Sequence, residues 1–371
     1  MKSININCPI NGTGYGITST NIVKSIASKD IDISLFPIGN QIDVNSPSDQ
    51  QLIQKLLNKS SSFQYSAPCL KIWHQYDLAS RIGNGHYYVF PFFEIDTLNP
   101  REIHHLNYAD YIFVASSWGK EILQKNNVNK PIYVAPLGVD LEIFKNPLKI
   151  KIQNDKYIFF HIGKWEHRKS HDFLLKTFDA AFDENDNVEL WMLPYNPFLN
   201  DKENQYWINL VESSKLKSKI KLFNRLQTQY DLAEFIYRAD CGVFLSRAEG
   251  WNNEIIESMA MNKPVIVTNY SAHTEYCTSD NSYLVNIDEL EVANDGKWFN
   301  GTGKWAKLGD NQLEQAVAYM RYVYHNRIDS NSNGVLTANN YTWDHTTKII
   351  LETFNRNNSY YANTKAKSKR R

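Results

Sequence analysis

Two short stretches of this chain carry residues whose types and spacing could do chemistry. The first is EGWNNEIIESMA, Glu249 to Ala260, which sets Glu249 and Glu257 eight positions apart. Gly250 lets the backbone turn tightly after the first acid. The apolar residues Ile255, Ile256 and Met259 mark a helix that carries the second acid. Trp251, Asn252 and Asn253 would then offer backbone N–H groups at the helix start, able to bind hydroxyls or phosphate. Eight helical residues span about 12 Å, and part of the spacing is turn. The carboxylates thus stand apart by roughly the length of a sugar phosphate, and each can accept two hydroxyls of a vicinal diol. The second stretch is HIGKWEHRKS, His161 to Ser170. A strand ends at Gly163, and Lys164, Arg168 and Lys169 follow just before a helix. Cations at a strand end and a helix start suit a diphosphate. Taken alone, each stretch also has a plainer reading: a capping acid with a helix-surface acid, and a solvated basic turn.

Three weaker features accompany them. CPINGTGYG closes the first strand, and Gly12, Gly14 and Gly16 would let backbone approach a ligand. The stretch lacks both the dinucleotide fingerprint spacing and a Walker lysine. His74, in KIWHQY, ends an expected strand and reads equally as a cleft residue or a satisfied structural histidine. Glu94, in PFFEID, leans towards structure. No HExxH or GxSxG occurs, and the acidic pair at Asp30 does not read as a metal site. Neither a metal nor a cofactor is expected.

These residues need elements to position them. A chain of 371 residues is too long for one ordinary core, so two domains are expected. Forty acidic residues balance forty basic ones, which argues against a dedicated nucleic-acid binder. Aromatic residues make up 13% of the chain, suiting a large core and also the stacking of sugar faces. The four scattered cysteines read as reduced, buried thiols. No secretory signal and no run of 18 apolar residues is present, so a cytoplasmic protein is expected.

Short apolar runs alternate with helical patterns along the chain, as in SININCPI then GITSTNIVKSIASK, or KYIFFHIGKW then SHDFLLKTFDAAFDE with Ser170 as its cap. That alternation predicts α/β architecture, with two doubly wound, Rossmann-like domains facing a cleft. The expected divisions are 1–150, 151–345, a crossing helix over 346–362, and a disordered basic tail over 363–371. KNPLKIKIQNDK reads as the connector between the domains. Ligands of such sheets bind at the carboxyl ends of strands, where both stretches fall.

In order along the chain, the motifs resemble those of the GT-B-fold retaining glycosyltransferases, specifically glycosyltransferase family 4. APLGVDLEIF resembles the family's P-N-G-V-D-x-x-x-F segment, with Leu137 in place of Asn. GKWEHRK resembles its G-R-x-x-x-x-K loop, with Lys164 in the arginine position. EGWNNEIIESMA is similar to E-G-F-G-x-x-x-x-E-A-M. The resemblance implies that Lys164 and Lys169 bind the diphosphate of a nucleotide-sugar donor, UDP- or GDP-linked. It implies that the domain over 1–150 is the acceptor side and that over 151–345 binds the nucleotide sugar, with Glu257 on the ribose, and Glu249 with the amides of Trp251, Asn252 and Asn253 at the sugar. Backbone at Arg225 and Leu226 would meet the base. Gly14 and Gly16 would approach the phosphate, and His74 would lie near the reacting sugar. Lysine at 164 keeps the charge but loses bidentate geometry. Asn252, in place of the second glycine, would narrow the space beside the sugar. The implied reaction is metal-independent hexosyl transfer with retention, to a hydroxyl acceptor for which a glycan is preferred. A DNA-base acceptor, an epimerase or hydrolase, and a non-catalytic nucleotide-sugar-binding subunit are the alternatives. The tail KAKSKRR would add at most a weak contact with an anionic surface.

Overall fold

The computed structural model describes residues 2–39, 42–44, 46–145 and 155–368, with residues 358–368 described by backbone. Most of the connector KNPLKIKIQNDK lies outside the described residues. The chain divides into two compact units: residues 1–93, 98–138 and 341–371, and residues 94–97 and 139–340.

In the first unit, β1 (Ser3–Cys8), α1 (Gly14–Ala27), β2 (Asp32–Pro37), α2 (Pro47–Asn58), β3 (Cys69–Lys71), β4 (Tyr87–Val89), α3 (Pro100–Tyr108), β5 (Tyr111–Val114), α4 (Ser117–Lys125) and β6 (Ile132–Val134) follow in turn. Their strands form a six-stranded sheet in the order β2-β1-β3-β4-β5-β6, and the paired strands run parallel. Strands β3 and β4 are buried along their whole length, as a parallel sheet covered on both faces requires. Strand β3 ends at Lys71, so His74 lies three residues beyond the strand it was expected to end.

The second unit repeats the plan with β7 (Tyr157–Ile162), α5 (His171–Ala181), β8 (Val188–Leu193), α6 (Asp201–Glu212), β9 (Ile220–Leu222), α7 (Gln229–Arg238), β10 (Cys241–Phe244), α8 (Asn253–Ala260), β11 (Val265–Asn269) and β12 (Tyr283–Asn286). The sheet order is β12-β11-β10-β7-β8-β9. The chain starts at β7, builds outward to β9, then returns to place β10 on the other side of β7. The carboxyl ends of β7 and β10 therefore flank the point where the winding reverses, which is where doubly wound sheets bind ligands. YIFFHI and CGVF, the two strands there, are buried at every residue. The core behind them gathers Phe159, Phe178, Leu190, Val243 and Ile266.

Three features depart from the sequence reading. Ser170 heads α5 with φ of 55°, and its side chain makes no capping bond to the helix. An antiparallel hairpin of β13 (Leu290–Asn294) and β14 (Asn300–Ala306) follows β12, ahead of α9 (Asp310–His325) and α10 (Ser332–Asn340). The last helix, α11 (Trp343–Ser368), belongs to the first unit and runs six residues into the stretch read as a tail. Ala362 to Ser368 contain no glycine or proline to stop it. Residues 369–371 lie outside the described residues. Among the described residues no helix is long and apolar enough to cross a membrane.

Candidate functional site

The loops after β7 and β10 meet in a buried ion network. Arg168 Nη1 lies 2.7 Å from Glu249 Oε2, and Lys169 Nζ lies 2.8 Å from Glu249 Oε1. Arg168 Nη2 lies 2.8 Å from Glu166 Oε2, and Lys164 Nζ lies 2.9 Å from Glu166 Oε1. The side chains of Arg168, Lys169, Glu166 and Glu249 are each 7% exposed, whereas Lys164 is 38% exposed. Burial alone would raise the Glu249 carboxyl, but Arg168 and then Lys169 outweigh it and hold the group well below the usual range. Glu166 is lowered in the same way, against burial, by Arg168 and Lys164. Lys169 is raised because Glu249 outweighs the cost of its burial.

Backbone geometry fixes these groups. Arg168 Nη1 also donates to Ala248 O at 2.8 Å, and Glu249 N donates to Ser271 Oγ at 2.8 Å. A Cβ on Gly163 would stand 3.1 Å from Lys169 Cδ and 3.1 Å from His161 Nε2, so a side chain there would press on both groups. His161 Nδ1 donates to Val243 O at 2.7 Å, joining β7 to β10 at the reversal. Burial pushes His161 and His273 down to about 4, so both rings are neutral at pH 7. His273 Nδ1 then donates to Thr268 O at 2.9 Å, and its Nε2 accepts from Asn252 Nδ2 at 3.2 Å.

Asn252 adopts φ of 83°, a region open to glycine and tolerated by asparagine, and it caps α8 without a side-chain capping bond. Its side chain folds back onto His273. The first N–H groups of α8 lack a capping side chain, and such groups attract anions. Glu257, 6% exposed, lies one turn into α8; its backbone O accepts from Met261 N at 3.1 Å, and its carboxyl forms no hydrogen bond or ion pair among the described residues. Burial and then Glu254 push its carboxyl well above the usual range. His161 Nε2, Ser246 Oγ, Asn252 Oδ1 and Asn253 Oδ1 are also buried without a hydrogen-bond partner among the described residues. Leaving such atoms unpaired costs about 1–3 kcal/mol each, so their concentration in the loops around the ion network marks a place for a polar ligand.

Of the residues singled out in the sequence, the second unit brings Lys164, Lys169, Glu249, Trp251, Asn252, Asn253 and Glu257 into these loops and α8. Trp251 is buried against Tyr276, with ring centroids 4.7 Å apart. Arg225 and Leu226 follow β9, where the Arg225 guanidinium lies 5.9 Å from the Tyr195 ring centroid. Glu94 belongs to this unit too; burial raises its carboxyl and Arg168 opposes the rise. His74, Gly14 and Gly16 belong to the first unit. His74 stacks on Tyr76 at 5.1 Å and meets Tyr15 at 4.5 Å. A Cβ on Gly16 would fall 2.1 Å from Asn11 O, so the loop's own backbone already requires that glycine. Gly14 has open space at its Cβ position. Sequence reasoning missed Glu166 and His273 and gave Arg168 too small a part. An acid among four basic side chains in KWEHRK was the available signal for Glu166.

Residues 156–295 match the family described as "Glycosyl transferases group 1". Over 170 residues the chain is 24% identical to an uncharacterized glycosyltransferase of Methanocaldococcus jannaschii, covering 43% of this chain and 40% of that protein. The chain thus spans less than half the length of that curated relative. Its fold is similar to that of sucrose-phosphate synthase from Thermosynechococcus elongatus, with a TM-score of 0.73 and 12% identity over 97% of this chain and 100% of the other. It is also similar to HepE of Anabaena, solved in complex with UDP-glucose, with a TM-score of 0.67 and 12% identity over 96% and 100%. The two parallel sheets are those of the GT-B fold.

Proposed function

From a glycosyltransferase group 1 domain on residues 156–295 of a GT-B fold, we propose that this chain transfers a hexose from a nucleoside-diphosphate sugar to a hydroxyl of a glycan, with retention at the anomeric carbon. The observation that carries this reading is Glu249, buried and ionised between Arg168 and Lys169 beside the uncapped start of α8. The donor diphosphate takes Lys169, Lys164 and the first N–H groups of α8, which stabilise the charge that grows on the leaving group. Glu249 accepts from sugar hydroxyls, and Arg168 fixes its orientation. Glu257, still unpaired, accepts from the ribose diol, with UDP or GDP as the nucleoside diphosphate. The cations supply the neutralisation that a divalent metal would otherwise provide. Retention follows if the leaving phosphate takes the acceptor proton on the face it departs from.

The test is calorimetric titration of the full chain with UDP-, GDP-, ADP- and dTDP-sugars, beside Lys169→Ala. One nucleotide sugar should bind and lose its affinity in the variant, and turnover of that donor should persist in EDTA. Absence of binding to every donor would overturn the reading.

A further inference from the structure

The loop that carries Glu249 is clamped by one short segment, Ser271 to Tyr276. Glu249 N donates to Ser271 Oγ at 2.8 Å, and Ala272 N donates to Glu249 O at 3.2 Å. The Tyr276 hydroxyl lies 2.9 Å from the carbonyl oxygens of both Trp251 and Asn252 and serves the two together. The backbone from Glu249 to Asn252 is therefore fixed before α8 begins.

The same segment decides which way the Asn252 side chain points. Thr268 O can only accept, so His273 Nδ1, 2.9 Å away, carries the proton. A neutral imidazole has a single N–H, which leaves Nε2 as an acceptor. The Asn252 group 3.2 Å from Nε2 is accordingly the amide nitrogen. Turning the amide over would set two acceptors against each other. Thr268 is held in its turn, since its Oγ1 donates to Ser246 O at 2.6 Å. The histidine tautomer thus directs Asn252 Oδ1 away from His273. That oxygen is buried, in a residue 6% exposed, and has no hydrogen-bond partner among the described residues. Folding has built an unpaired acceptor three residues after Glu249, at the residue that caps α8.

Few ligand groups can satisfy it. Diphosphate oxygens accept and do not donate, so they belong on the cations and on the N–H groups of α8. A sugar hydroxyl can donate to Oδ1 while its own oxygen stays free to accept. We propose that Asn252, oriented by His273, is a specificity-determining residue for the donor, with Oδ1 accepting from one hydroxyl of the transferred hexose. The inference rests on the transfer reading above and adds a second acceptor beside Glu249. A glycine here would provide the same backbone without the acceptor. A donor lacking that hydroxyl leaves a buried oxygen unpaired, and this is the circumstance in which a binding site discriminates strongly.

The experiment titrates the full chain with UDP-glucose and GDP-mannose, with analogues of each in which one hydroxyl at a time is replaced by fluorine, and with free UDP and GDP. Fluorine occupies the place of a hydroxyl but cannot donate. Wild type should bind one donor series and lose about tenfold in affinity when the hydroxyl at Asn252 is replaced. Asn252→Gly, which suits the left-handed backbone, should erase the fluorine penalty at that one carbon. It should keep any penalty that Glu249 imposes elsewhere and bind the free nucleotide as wild type does. His273→Ala, which frees the amide to rotate, should shrink the same penalty; comparing two ligands on one protein cancels any loss of stability. Donor binding by wild type with no carbon whose penalty Asn252→Gly erases would overturn the inference and leave the transfer reading standing. An undiminished penalty in His273→Ala would overturn the orienting role of the histidine. Equal weakening of free nucleotide and donor by Asn252→Gly would also overturn the inference, placing Asn252 on the diphosphate. Absence of binding to every ligand by wild type would sink the transfer reading and the inference with it.

Discussion

Replacing Glu249 by glutamine keeps the shape of the side chain and removes one charge from the ion network. Three cations, Lys164, Arg168 and Lys169, face two carboxylates, Glu166 and Glu249. The variant therefore raises the surplus positive charge from one to two. The loss does not fall equally on the two cations that touch Glu249. Arg168 keeps Glu166 at 2.8 Å, whereas Lys169 loses its one ion-pair partner among the described residues and remains buried. Breaking a buried pair by removing one partner costs about 3–5 kcal/mol. With Arg168 still paired, the expected loss is about 3 kcal/mol, or roughly 6–12 °C in the melting temperature of a domain of about 200 residues.

Urea unfolding and thermal melting of the full chain read this directly. The reasoning makes two further commitments. Glu249→Gln with Lys169→Met should recover most of the lost stability, because the double variant no longer buries an unpaired ammonium. Pyrophosphate should stabilise Glu249→Gln by up to about 2.7 kcal/mol at a hundredfold excess over its dissociation constant, and so raise its melting temperature. A Glu249→Gln protein as stable as wild type would refute the argument. Strict additivity of the two substitutions would refute it as well, since the pair would then not be coupled.

Two other outcomes follow from the buried titrating groups. His161 and His273 are pushed down to about 4 from an ordinary 6.5, so the unfolded chain binds more protons between those values. Their stabilising contribution is complete above pH 6.5 and is lost as pH falls towards 4, by up to about 1.4 kcal/mol per pH unit for each ring. Urea midpoints should drop from pH 7.5 to pH 5, and a flat profile would contradict the neutral, buried rings. Glu249, lowered in the fold, adds its own loss only below its ordinary 4.5. Glu257 has the opposite sign: its carboxyl is raised, so ionisation costs stability as pH rises through and above 4.5. Glu257→Gln should melt at the same temperature as wild type or higher at pH 7.5, while weakening nucleotide-sugar binding far more than pyrophosphate binding. A lower melting temperature with unchanged nucleotide affinity would remove Glu257 from the ribose.

The sheets were legible in the sequence because their signal is local. YIFFHI, apolar but for His161, and CGVF are largely apolar runs, and such runs are what the centre of a parallel sheet requires. The helix of EGWNNEIIESMA was legible for a related reason, since Ile255, Ile256 and Met259 fall on one face and all are buried. The ion network was only half legible. Cations in HIGKWEHRKS and acids in EGWNNEIIESMA can each be seen, but the pairing of Arg168 with both Glu166 and Glu249 depends on which strands lie side by side. The hairpin was invisible because LEVANDGKWFNGTGKWA alternates weakly. Leu290 and Val292 are exposed and Ala293 is buried, so the apolar pattern does not report the inner face. Asn252 could be read only as a substitution for glycine. Its φ of 83° shows why asparagine is tolerated there: the position needs a residue that accepts a left-handed backbone.

The network also bears on how a diphosphate would be received. Lys169 is buried and ordered by Glu249 before any ligand arrives, so its desolvation and side-chain entropy are already spent in folding. A phosphate oxygen arriving at Lys169 meets a cation that needs no further ordering, which is the condition under which fixed charges stabilise a leaving group most effectively. The same contact would weaken the hold of Lys169 on Glu249. One side of that carboxylate then becomes available to sugar hydroxyls while Arg168 keeps it in place. Donor binding and the release of Glu249 would thus be a single event, which predicts that Lys169→Met loses diphosphate affinity and yet leaves Glu249 tied only to Arg168. In that variant sugar selectivity should change less than affinity. If selectivity among donors sharing one nucleotide collapsed while affinity held, Lys169 would be acting on the sugar and not on the phosphate.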